Sequence, residues 1–139
     1  MQEQYVKPRT RILAVSDDGA FLHLIQTLLD DIDLPVRTTG QWHEVPDMAA
    51  KLLPDLTILD LTPTNETVCW LVMEALKAHA ATKHIGILIC PVASWLIDGH
   101  RERLSRLGAG VWSGKFDLQE FFESVSVAVG LTVASKYAE

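Results

Sequence analysis

The feature that most constrains this chain is an alternation: short apolar runs of strand length, each followed by a stretch with helical spacing. The runs fall at residues 11–16 (RILAVS), 35–39 (PVRTT), 55–60 (DLTILD), 85–90 (IGILIC) and 109–113 (AGVWS). The third and fourth are nearly all apolar, as strands are when a parallel sheet is covered by helices on both faces. Between the runs lie amphipathic stripes: Phe21, Leu24, Ile25, Leu28, Leu29 and Ile32 form one, and Leu118, Phe121, Phe122 and Val125 another. Parallel neighbours need right-handed helical crossovers, so the pattern predicts an α/β fold with a doubly wound, five-stranded parallel sheet. Helix boundaries are marked less sharply. Ser94 is placed to cap the fourth helix, Asp117 with Glu120 forms a capping-box variant at the fifth, and Gly130 is a stop. The second helix is expected near residues 44–53, with Pro46 close to its start.

The 139 residues suit one domain. The division expected is an N-terminal arm at 1–10, the α/β domain at 11–130 and a short C-terminal tail at 131–139, with no output domain. No uncharged apolar run approaches the roughly 20 residues of a membrane span, and residues 1–10 contain no apolar signal core, so a soluble, cytoplasmic protein is expected. Cys69 and Cys90 lie in apolar segments without metal-ligand spacing and read as reduced core residues. In a cytoplasmic protein the Asn65-Glu66-Thr67 sequon has no meaning. The five histidines, His23, His43, His79, His84 and His100, show no convergent ligand spacing. A net charge of −6 disfavours nucleic acid, and Arg101, Arg103 and Arg106 alternate with Glu102 and apolar residues as a solvated helix face does.

In a doubly wound sheet the working site lies at the carboxyl ends of the strands. The residues at those exits are Ser16, Asp17 and Asp18; Asp60, Leu61 and Thr62; Cys90 and Pro91; and Ser113, Gly114 and Lys115. Taken singly each has a plain explanation. Asp17 or Asp18 can cap the first helix, Asp60 can end a strand, and Lys115 can be a surface lysine. Together, carboxylates and a lysine from three separate exits would supply oxygen ligands for a hard cation and a fixed positive charge beside it. Such a site suits phosphoryl transfer to a carboxylate, where catalysis is mostly positioning and charge neutralisation.

The segments ILAVSDD, PDLTILDL and LGAGVWSGKFDLQEF resemble, in order and spacing, the motifs of response-regulator receiver domains of two-component signal transduction. The resemblance covers about residues 11–130. It implies a flavodoxin-like sheet of strand order 2-1-3-4-5, with Asp60 as phosphoacceptor and Lys115 pairing with the phosphoryl group. Asp17, Asp60 and the backbone carbonyl of Thr62 would hold Mg²⁺, and the donor would be a phosphohistidine on a histidine kinase or phosphotransfer protein. The domain would not be an enzyme. It would signal through protein contacts with an output partner or a homodimer, on a face that includes Trp95, Leu96 and Trp112.

The sequence departs from the family pattern in four places. Ser16 stands where the first acid of a pair is usual, so Mg²⁺ binding is expected to be weak. Pro91 stands at the switch position, where a hydroxyl is usual. Phe116 rather than proline follows Lys115, and Pro63 with Thr64-Asn65-Glu66 replaces a Gly-containing turn. Trp112 keeps the switch aromatic in kind. The rival reading is a degenerate receiver that binds partners without phosphorylation. A flavodoxin-like cofactor site is disfavoured because the first loop, Ser16-Asp17-Asp18-Gly19, repels anions. An aspartate-nucleophile phosphatase would want an acid where Thr62 stands.

Overall fold

The computed structural model describes residues 11–112 and 118–129. Five parallel strands, β1 (Ile12–Val15), β2 (Val36–Thr39), β3 (Leu56–Leu61), β4 (Gly86–Pro91) and β5 (Ala109–Val111), form one sheet of order β2-β1-β3-β4-β5. The helices between them are α1 (Gly19–Asp30), α2 (Val45–Leu52), α3 (Glu66–Ala78), α4 (Arg101–Leu107) and α5 (Leu118–Val129). The expected fold class and strand order are both observed. Every residue of β1 and β3 is buried, because both strands have neighbours on each edge and helices on each face.

The period-two alternation of strand side chains divides the core into two layers. Leu13, Val15, Leu59, Leu61, Ile87 and Ile89 pack under α2, α3 and α4; Ile12, Ala14, Leu56, Ile58, Leu88 and Cys90 pack under α1 and α5. α1 contributes Ile25 and Leu29 from its expected stripe, and α5 contributes Phe121, Phe122 and Val125. Among the described residues no helix is long and apolar enough to cross a membrane.

Two local expectations change, at Ser94 and Pro91, while the second helix lies where expected. Ser94 does not cap α4: it opens a separate 3-10 turn, Ser94–Leu96, whose carbonyl takes the amides of Ile97 and Asp98, and α4 starts only at Arg101 after His100. The second helix, expected near residues 44–53, is α2, preceded by a 3-10 turn, Trp42–Glu44, and Pro46 lies in its first turn as expected, where its missing N–H costs nothing. Pro91 is the last residue of β4 rather than part of the loop, paired with Leu61, and the ladder continues through Val92 N–H to the Leu61 carbonyl at 3.0 Å. Asp117 and Gly130 lie outside the described residues. α4 ends on Gly108, whose φ of 68° is the left-handed conformation that glycine adopts without strain.

Candidate functional site

β1 and β3 are adjacent and in register from Ile12 opposite Leu56 to Val15 opposite Leu59, so Ser16, just past β1, and Asp60, the penultimate residue of β3, come side by side. Both are buried, Asp60 to 4% exposure. The Ser16 hydroxyl donates to Asp60 Oδ2 at 2.6 Å and accepts the Asp18 amide at 2.9 Å. Close approach of β2 completes this corner. The Ser16 amide donates to the Thr39 carbonyl, and a Cβ on Gly40 would come within 3.1 Å of the Ser16 carbonyl oxygen.

Of the two acids after β1, Asp18 is the N-cap of α1: its Oδ1 accepts the Ala20 amide at 2.9 Å. Asp17 is left exposed at the mouth of a cleft of about 340 Å³ lined also by Asp18, Phe21, Asp60, Thr62, Thr64, Asn65 and Val92. A roomier groove of about 600 Å³ runs between the β5 edge and α5. It is lined by Glu120 and Glu123 but by none of the strand-exit acids, which line the smaller cleft.

The loop after Asp60 is held by a residue whose role the sequence did not reveal. Asn65 occupies the N-cap position of α3 but makes no cap bond there. Its side chain, 4% exposed, turns back: Nδ2 donates to the Asp60 carbonyl at 2.7 Å and Oδ1 accepts the Thr62 amide at 3.0 Å. The Asn65 amide donates to Thr62 Oγ1 at 3.3 Å. This closed ring fixes Asp60 and Thr62 relative to each other. An asparagine just before a helix in a Thr-Pro-Thr-Asn turn was the available signal, since such side chains often bond their own backbone.

Burial pushes the Asp60 carboxyl above its ordinary value; the Ser16 hydrogen bond opposes this, and the charges of Asp18 and Asp17 add to it. A carboxylate held uncomfortably among others is one that a cation stabilises. Among the described residues no three His, Cys, Asp or Glu side chains gather into a ligand cluster. Mg²⁺ nonetheless needs only one or two carboxylates, with waters filling the remaining positions, and the cleft offers Asp17 and Asp60. Burial, with Asp60 as the next contribution, pushes the Cys69 thiol up to about 12 and raises Cys90 as well, so both remain protonated.

Of the remaining candidates, Pro91 is buried beside Leu61, and Lys115, with Ser113 and Gly114, lies outside the described residues. Trp112 is 4% exposed and packs against Phe121 of α5 with ring centroids 4.5 Å apart, in the layer of α1 and α5. Leu96 is buried too. Of the three side chains expected on a contact face, only Trp95 is exposed.

No protein-family model and no curated protein matches this sequence. Solved structures do. A chemotaxis response regulator from Vibrio cholerae superposes with a TM-score of 0.73 at 20% identity, over 86% of this chain and 98% of its own. The HemR receiver domain from Leptospira biflexa gives 0.72 at 23% identity, over 89% and 97%. This chain has the receiver fold. The receiver domain of a sensor histidine kinase from Pseudomonas aeruginosa, described with a magnesium ion coordinated in its active-site cleft, gives 0.71 at 16% identity, over 88% and 98%. In this chain's receiver fold, the cleft around Asp60 lies at the carboxyl ends of β1 and β3.

Proposed function

We propose that this chain is a receiver domain that accepts a phosphoryl group on Asp60 from a phosphohistidine of a histidine kinase or phosphotransfer protein, and signals through protein contacts. The observation that carries this reading is a buried carboxylate at the exit of the central strand, opening into an acidic cleft with Asp17 and Thr62.

Asp17, Asp60 and the Thr62 carbonyl would hold Mg²⁺. Bound there, the ion would neutralise charge on the phosphoryl oxygens. The chain's own residues do the rest. Ser16 ties Oδ2, leaving Oδ1 as the Asp60 oxygen without a hydrogen bond among the described residues, and Asn65 fixes the backbone on which that oxygen is carried. Oδ1 attacks phosphorus, the bond to the donor imidazole breaks, and its electron pair stays on the imidazole nitrogen. Lys115, which follows β5 in the sequence, would pair with the transferred group. The exposed indole of Trp95, in the 3-10 turn after β4, would be a point of partner contact.

The degenerate reading draws support from Ser16 and Pro91, and one experiment separates the two. Incubated with Mg²⁺ and acetyl phosphate, the protein is expected to gain one acid-labile phosphoryl group, absent in Asp60→Asn, by intact-mass spectrometry. No adduct under conditions that modify an ordinary receiver would leave a phosphorylation-independent interaction module.

A further inference from the structure

We infer that Ser16 is a positioning residue that shortens the life of the phosphorylated state. The inference rests on the reading of Asp60 as phosphoacceptor and adds a regulatory property to that site.

The hydroxyl of Ser16 is committed on both sides. It receives the Asp18 amide at 2.9 Å, from the loop that opens α1, and this orients its proton toward Asp60 Oδ2 at 2.6 Å. Ser16 is 1% exposed, so water does not compete for that proton. A hydrogen bond to an ionised acceptor is stronger than one to a neutral acceptor. As a free carboxylate, Asp60 presents an anionic oxygen to Ser16. Once Oδ1 carries a phosphoryl group, Oδ2 is the carbonyl oxygen of an acyl phosphate, and the same bond is weaker. The hydroxyl therefore favours the unmodified state over the modified one.

The kinetic consequence follows from the direction of charge flow. In hydrolysis a water oxygen attacks phosphorus, the Oδ1–P bond breaks, its electron pair returns to the carboxylate, and the water proton passes to solvent. Negative charge grows on the carboxyl group as the bond breaks, and a donor already aimed at Oδ2 meets it without reorganisation. Ser16 thus assists departure of the carboxylate. In the uptake direction the carboxylate gives up charge, so the same donor holds the starting state back. One side chain speeds loss and does not speed gain.

The test compares the purified wild-type protein with Ser16→Ala and Ser16→Thr, each phosphorylated with acetyl phosphate and Mg²⁺, freed of donor and followed by intact mass. Ser16→Ala is expected to lengthen the half-life of the adduct about five- to tenfold, the ratio equivalent to about 1–1.4 kcal/mol, without slowing uptake. Ser16→Thr, which keeps the hydroxyl, is expected to restore rapid loss. A role confined to cleft shape would slow uptake and loss together. An unchanged or shortened half-life in Ser16→Ala, with Asp60 still modified, would overturn the inference and leave the phosphoacceptor reading standing. Absence of any adduct in all three proteins would overturn both.

Discussion

Burial holds the Asp60 carboxyl above its ordinary value of 3.8, with the Ser16 hydroxyl pulling the other way and Asp18 and Asp17 adding to the rise. A carboxyl whose folded-state pKa is raised contributes stability that is fully present below the unfolded value and lost as pH rises through the folded one. At neutral pH, without divalent cations, the ionised group therefore opposes folding. Asp60→Asn, which keeps the shape and an acceptor for Ser16, is expected to melt higher at pH 7 by about 3–5 °C per 1 kcal/mol gained, with the difference closing in acid. Thermal melts across pH check this; a lower melting temperature at pH 7 would contradict it. Asn65 has the opposite standing. Asn65→Ala leaves the Asp60 carbonyl and the Thr62 amide without their partners, and is expected to destabilise the protein by about 1–3 kcal/mol in urea unfolding. Neither effect was legible from residue identity. Asp60 could be picked out because it is the one carboxylate near the end of an apolar strand, whereas Asn65 acts through loop closure, which leaves no periodic trace.

On the proposed function, the element expected to limit signalling is β4. In the receiver family, as the resemblance implies, a hydroxyl after this strand bonds the new phosphoryl oxygen, and here Pro91 fills the final ladder position with no donor at all. A hydrogen bond to a charged group contributes about 1.5–3 kcal/mol, so its absence here would cut the bias toward a phosphorylated active state by roughly 10- to 150-fold. The nearby thiol of Cys90 is a weak donor. Trp112 is already buried against Phe121 in the layer of α1 and α5, while Leu104 and Leu107 of α4 belong to the other layer. Beryllofluoride with Mg²⁺ is accordingly expected to move amide resonances of the loops around Asp17 and Asp60 and to leave α4 nearly unchanged. Large shifts through residues 101–107 would refute a weak switch.

At the scale of the molecule, the alternation of strands and helices was readable because β1, β3 and β4 are buried on both faces, and burial of that kind leaves continuous apolar runs. β2, with sequence VRTT at the sheet edge, carries almost no hydrophobic signal and was placed by its position in the alternation. The segment between β4 and α4 was misjudged for a related reason. Outside regular elements there is no period to assign a face, so the sequence leaves Trp95 and Leu96 alike, whereas in the 3-10 turn Ser94–Leu96 the first is exposed and the second buried; Trp112, just past β5, is buried against Phe121. The same separation divides the four tryptophans into unequal optical classes. Trp42, Trp70 and Trp112 are at most 6% exposed, whereas Trp95 is 59% exposed and three residues from Val92 at the cleft. The intrinsic fluorescence thus has a shielded, blue-shifted majority and one solvent-relaxed indole. A collisional quencher such as iodide would interrogate that indole selectively, making the native chain its own unlabelled reporter of what settles on the segment after β4.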